Sequence, residues 1–172
     1  MTWTAPAITR IDEPFVADER AMLEGFLEWE RATLLHKCAG LTGEQLALRP
    51  VAPSTLSLLG LVRHLASVER HWFRRRFRGE AVEPLFSREG VPGVAFSEVD
   101  PSRAEADFDC LMAEWSLCRR AVAGAALDET FITEGWGEMS LRWLYQHMIN
   151  EYARHNGHAD LLRERIDGRV GA

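Results

Sequence analysis

The sequence predicts an all-α fold, a four-helix bundle with a long crossover connection between helices two and three. Three observations predict it. Apolar residues recur at three- and four-residue steps in four long segments. Capping and stop residues stand at the ends of those segments. The stretch between the second and third segments is long and rich in proline and glycine, the crossover a bundle needs when successive helices are not antiparallel neighbours.

The first helix is expected over Ala17 to Cys38, with Met22, Leu23, Phe26, Leu27, Leu34 and Leu35 on its apolar face and Gly40 as its stop. Thr42-Gly43-Glu44 suggests an extra turn. The second helix begins near Ser57, with Ser54 and Thr55 as competing caps. It runs through Leu61, Leu65, Val68, Trp72 and Phe73 to about Phe77, and Gly79 ends it. From Glu80 to Asp100 no helical period survives among Pro84, Gly90, Pro92 and Gly93. The third helix starts after Asp100-Pro101, a cap followed by proline in the first turn, and carries Phe108, Leu111, Trp115, Cys118, Val122 and Leu127. Thr130 to Thr133 reads as a short extended piece, the only strand signal. The fourth helix follows Ser140 and runs through Leu141, Leu144, Met148, Tyr152, Leu161 and Leu162 to Asp167-Gly168.

The 172 residues suit a single domain over 1–172, with 1–15 as an N-terminal arm. A formal net charge of −6 argues against a protein that coats nucleic acid. No apolar run has the length of a membrane helix, and Met1 to Pro14 lacks the apolar core of a signal peptide, so a cytoplasmic location is expected. Cys38, Cys110 and Cys118 include no C-x-x-C pair and read as small buried hydrophobes.

Five of the six histidines fall on helices two and four. On the fourth helix, residues four apart lie about 40° apart around the axis, one turn up, so His147, Glu151 and His155 form one line. That line lies on the face chosen by Leu144, Met148 and Tyr152. A carboxylate among apolar neighbours is costly unless paired or bound to a cation. Glu151 and His155 have the spacing of adjacent-turn metal ligands. A third ligand must come from another helix, and His64, between Leu61 and Val68, is its natural donor. Two histidines and a carboxylate leave a position for water or substrate, the pattern of a catalytic zinc. The same residues also admit a reading as core histidines, since one sequence does not say which helices are neighbours. His36 and His71 read as ordinary surface or core histidines. Arg74-Arg75-Arg76, with Arg70 and Arg78, reads as a solvated helix end placed against the C-terminal dipole. Trp136 lies in a loop where it can line a pocket. A di-iron bundle is excluded, because no Glu-x-x-His occurs. No phosphate loop, nucleotide fingerprint or serine elbow is present.

The stretch Leu58-Leu59-Gly60-Leu61-Val62-Arg63-His64-Leu65, continued by Val68-Glu69-Arg70-His71-Trp72-Phe73, resembles the DinB-like superfamily. So does Ser140-Leu141-Arg142-Trp143, then His147-Met148, then Glu151 through Glu164. The likeness is nearest to an actinobacterial branch related to the N-terminal domain of mycothiol-dependent maleylpyruvate isomerase. It implies a four-helix bundle with a long crossover and one divalent metal, zinc or else nickel. It also implies the ligand set His64, Glu151 and His155, and a homodimer. The isomerase relatives carry a further C-terminal domain that the 172 residues do not include, so isomerisation of maleylpyruvate itself is not the expected reaction.

The resulting expectation is a metal-dependent enzyme that uses a low-molecular-weight thiol, mycothiol or one like it, for transfer to or isomerisation of a small electrophile. His147, His158 and Arg154 are expected in the pocket or behind the ligands. A metal-assisted hydrolase and a non-enzymatic, metal- or small-molecule-binding dimeric bundle are the alternatives. The expected partners are a small-molecule substrate and a second copy, with no nucleic acid and no membrane.

Overall fold

Asp18 opens the first helix by accepting the Ala21 N–H on its carboxylate, and so the helix starts at Glu19 rather than Ala17. The computed structural model describes residues 2–171. Among them the chain is mostly helical: α1 Glu19–Cys38, α2 Gly43–Ala47, α3 Leu58–Glu69, α4 Val94–Ser97, α5 Ala104–Val122 and α6 Leu141–Asp167. Ser57, and neither Ser54 nor Thr55, caps α3 through the Gly60 N–H. The turn at Thr42 is α2, opened by a reciprocal Thr42–Gln45 capping box. Ser140 caps α6, and Gly168, in the left-handed conformation, ends it. No helix among the described residues is long and apolar enough to cross a membrane.

Four features depart from the sequence expectation. Beyond Glu69 the second helix continues to Phe77 as a π-helix, marked by the Arg78 N–H reaching the Phe73 carbonyl. The third helix stops at Val122 instead of running on to Leu127, because Gly124 turns left-handed at φ +76°. The fold is not wholly α. Thr130–Thr133 (β1) pairs antiparallel with Gly137–Ser140 (β2) in a hairpin. The arginine run is a solvated end only in part: Arg76 and Arg78 are exposed, but Arg70 and Arg74 are not. Arg74 is buried and bonds Glu114 and Glu80, and Arg70 also reaches Glu114.

α1 lies along α6, α3 along α5, and α3 also meets α6. The apolar faces foreseen for these helices form the core, with Leu27, Leu34, Leu61, Leu65, Leu111, Leu144 and Met148 fully or almost fully buried. One polar cluster crosses that core. Arg31 on α1 bonds both oxygens of Glu69 at 2.7 and 2.6 Å. Tyr152 on α6 donates to Glu69 Oε1 at 2.9 Å, and Trp115 on α5 donates to the Tyr152 hydroxyl at 2.8 Å. Glu69 is 0 % exposed and Arg31 3 %, so both charges are desolvated; Glu69 is satisfied by Arg31 and Tyr152, and Arg31 by Glu69 and by Glu28 at 2.7 Å.

The long connection after Gly79 is held onto α3 by side chains that seize its carbonyls. Ser67 donates to Leu85 O at 2.8 Å, Arg70 to Glu83 O at 3.0 Å, Arg63 to Ala95 O at 3.1 Å and Arg49 to Phe96 O at 2.9 Å. Arg63 also pairs with Asp107 at 3.1 Å and lies 4.2 Å over the Phe86 ring. Gly60 admits the connection to close range, since a Cβ there would meet the Phe96 ring at 3.0 Å. Arg63→Ala is expected to free residues 80–100 and strand the buried Asp107. The cost is on the order of 3 kcal/mol. Limited proteolysis and amide exchange read it: cleavage and exchange should rise first in that segment, and unchanged protection there would refute the clamp.

Candidate metal centre

α3 and α6 face each other across the level of His64. His64 sits one turn after fully buried Leu61 and beside fully buried Leu65, which fix the helix face and leave the imidazole at its edge. On α6, Glu151 and His155 are four residues apart, hence one above the other, with Tyr152 buried beside them. His64 Nε2 and His155 Nε2 each lie 3.1 Å from the same atom, Glu151 Oε1. The three donor atoms all fall within 4.8 Å of one another. The two imidazoles approach edge to face, 4.7 Å between ring centres. The three residues singled out from spacing are thus brought together across two helices.

The surrounding side chains hold this group. Arg154 Nη2 donates to Glu151 Oε2 at 2.7 Å, leaving Oε1 to the imidazoles. His158 Nδ1 is 3.3 Å from His155 Nδ1, behind the ring. Phe96, from the connection, packs against His64 with ring centres 4.9 Å apart. Hydrogen bonds from His155 and then His64 hold the Glu151 carboxyl well below the usual carboxylate range, against the opposing effect of burial. Burial, then the His155 and Arg154 charges, push the His158 imidazole down. An ionised carboxylate flanked by two imidazole nitrogens is a donor set that fits a borderline divalent cation.

His147 does not join the group. One turn before Glu151, it stacks on Trp143 with ring centres 4.9 Å apart and stands edge-on to Trp72 at 4.7 Å. Burial lowers its pKa. Trp136, 65 % exposed on the hairpin turn, closes this aromatic cluster against Trp72 and Trp143. A cavity of about 420 Å³ runs from His64 along α3 and the π-helix, roofed by the connection. Phe86 and Phe96 belong to its wall, and no local pattern marks them, because their place depends on how the connection folds back. A second cavity, about 550 Å³, opens between α1 and α5 and contains no histidine. Its arginines are taken: Arg20 by Glu24, Arg31 by Glu69 and Arg119 by Glu28.

The thiols of the chain are poor nucleophiles. Burial pushes Cys38 up to about 12 and raises Cys118 further, and burial also raises Cys110. Cys38 and Cys118 are the small buried hydrophobes the sequence suggested; Cys110 is only partly buried.

A protein-family model described as mycothiol-S-transferase matches residues 22–168, which spans α1 almost from its start, the connection, the hairpin and all of α6. No curated protein matches the chain.

Proposed function

The chain belongs to the mycothiol-S-transferase family, and from that premise we propose that it transfers a low-molecular-weight thiol, mycothiol or one like it, to a small electrophile at a divalent cation held by His64, Glu151 and His155. Zinc is the expected cation and nickel the alternative. The observation that carries the reading is the approach of both imidazoles, from different helices, to one oxygen of a buried carboxylate. We read the four long helices as a four-helix bundle, with residues 78–100 as its crossover.

A cation bound there would supply the charge that lets a coordinating thiol ionise at neutral pH. The residues of the chain do the rest. Glu151 provides the negative charge, and Arg154 fixes it by its other oxygen. His158 sets the orientation of His155 from behind, as a hydrogen-bonded neighbour does for a ligating imidazole. Phe96 and the connection cover His64 and keep water from that side. Since burial raises the pKa of all three thiols of the chain, the reacting sulfur comes from the cosubstrate.

The test is conjugation of mycothiol to monochlorobimane, followed by fluorescence. In that reaction an S–C bond forms, chloride leaves with the bonding pair and the thiol proton goes to solvent. Turnover should need both the thiol and zinc, and fall to the uncatalysed rate with a chelator or in His155→Ala. Equal rates for wild type and His155→Ala would sink the reading. Turnover of ester or amide substrates without added thiol would replace it with hydrolysis.

A further inference from the structure

The cavity beside His64 carries a charge that no acidic side chain among the described residues pairs with. Its helical wall is a single stripe at three- and four-residue steps, from His64 through Val68 and Trp72 to Arg75. In the run from Arg70 to Arg78 every other arginine is engaged. Arg70 and Arg74 bond Glu114, Arg76 donates to His71 Nε2 at 3.3 Å, and Arg78 lies 4.0 Å from Glu129. Arg75 is half-buried in the cavity wall, and among the described residues it has no hydrogen bond and no ion pair. No Asp or Glu lines the cavity. Burial, then the Arg76 and Arg75 guanidiniums, press the His71 pKa down.

The remaining wall is mostly apolar and aromatic, and its Leu85–Phe86 part is held in place. Phe86 is held under the Arg63 guanidinium at 4.2 Å, and the Ser67 bond to Leu85 O fastens the chain next to it. At about 420 Å³ the space suits a small organic molecule rather than a bare ion. His64 and Arg75 are eleven residues apart in the chain, roughly 16 Å along a helix axis before their side chains reach toward each other.

We propose that this cavity is the electrophile site, and that Arg75 selects small aromatic or aliphatic electrophiles bearing a carboxylate. The carboxylate sits on the Arg75 guanidinium, a planar two-point donor suited to it. The apolar body lies between Trp72 and Phe86, and the reacting carbon is presented at the His64 end. Transfer then joins the thiol sulfur to that carbon as the leaving group departs with its bonding pair and the thiol proton passes to solvent. That the occupant is an electrophile rests on the thiol-transfer reading; that the cavity binds an apolar carboxylate does not.

Two unreactive probes separate these claims: 4-phenylbutyrate and its neutral amide, titrated calorimetrically into the protein as purified and after chelation. Wild type should bind the acid at least tenfold more tightly than the amide in both states, a difference of about 1.4 kcal/mol. Arg75→Gln should erase the preference and Arg75→Lys should keep part of it. Both variants should retain the wild-type circular dichroism and metal content, because Arg75 supports no other residue. Equal affinity of acid and amide in wild type, binding of neither, or a preference that survives in Arg75→Gln overturns the proposal. A preference that persists in protein that never takes up metal upholds the Arg75 site while removing the thiol-transfer reading. Metal-dependent conjugation without any acid preference does the reverse.

Discussion

Alanine at His64 or at His155 is expected to empty the protein of divalent metal and to abolish thiol conjugation with it. The three donors lie within 4.8 Å of one another, and each change removes one of only two nitrogens. Zinc and nickel depend on those nitrogens, and the single carboxylate cannot replace them. The His64 side chain is 25 % exposed at the edge of the core, so His64→Ala should leave the fold intact and isolate the loss of metal. His158→Ala removes only the group behind His155 and should weaken metal binding by about 10- to 100-fold without abolishing it. Elemental analysis of untagged protein, paired with circular dichroism, reads all three variants. A folded His64→Ala protein with the wild-type metal content would show that the cation, if any, sits elsewhere.

The second large effect belongs to the core. Arg31→Met is expected to cost about 3 to 5 kcal/mol, because it leaves the Glu69 carboxylate buried without its cation. Glu69 would keep only the Tyr152 hydroxyl as a side-chain donor. Glu69→Met strands Arg31 in the same way, though Glu28 still pairs with it at 2.7 Å, and the loss should be smaller. The double replacement removes both charges and should recover much of the loss, since a desolvated ion pair and a well-packed apolar pair are often of similar stability. Urea denaturation of the two single variants and the double variant measures the coupling directly. Additive losses in the double variant would mean that the pair does not act as a unit.

What could be read from the sequence was what depends on short spacings. The apolar stripes of α1, α3 and α6, the Ser140 cap and the Gly168 stop are all set within a few residues, and they stand as expected except that Phe26 on α1 and Leu161 on α6 turn to solvent. Glu151 and His155 share a face for the same local reason. His64 was reached by elimination, and only the packing of α3 on α6 brings its nitrogen to Glu151. The π-helix left no trace, because Trp72, Phe73 and Phe77 satisfy an apolar face whichever carbonyl the amides choose. Leu127 extended the period of α5 past its end, since Gly124 breaks the helix without breaking the pattern. β2 was invisible in Gly137-Glu138-Met139-Ser140, whose strand character comes from pairing with β1. Arg31 had a signal that went unused, a charge between Leu27 and Leu34 on the buried stripe of α1. Glu114 explains Arg74 in the same fashion: a buried acid on α5 claims a cation that local sequence assigns to solvent.

The Arg31–Glu69–Tyr152–Trp115 cluster draws one member from each of α1, α5 and α6 and one from the last residue of α3. Only the full set of helices satisfies all of it: without α1 or α3 one of the two charges loses its partner, and without α6 Glu69 loses the Tyr152 donor. Such partly assembled states hold an unsatisfied polar group in an apolar interior or keep water there, and are penalised for it. The helices should therefore come apart together, in one cooperative transition. Because Tyr152 follows Glu151 directly, the donor group at His64 and His155 disappears in that same transition, and a cation bound there would report on the integrity of the entire molecule.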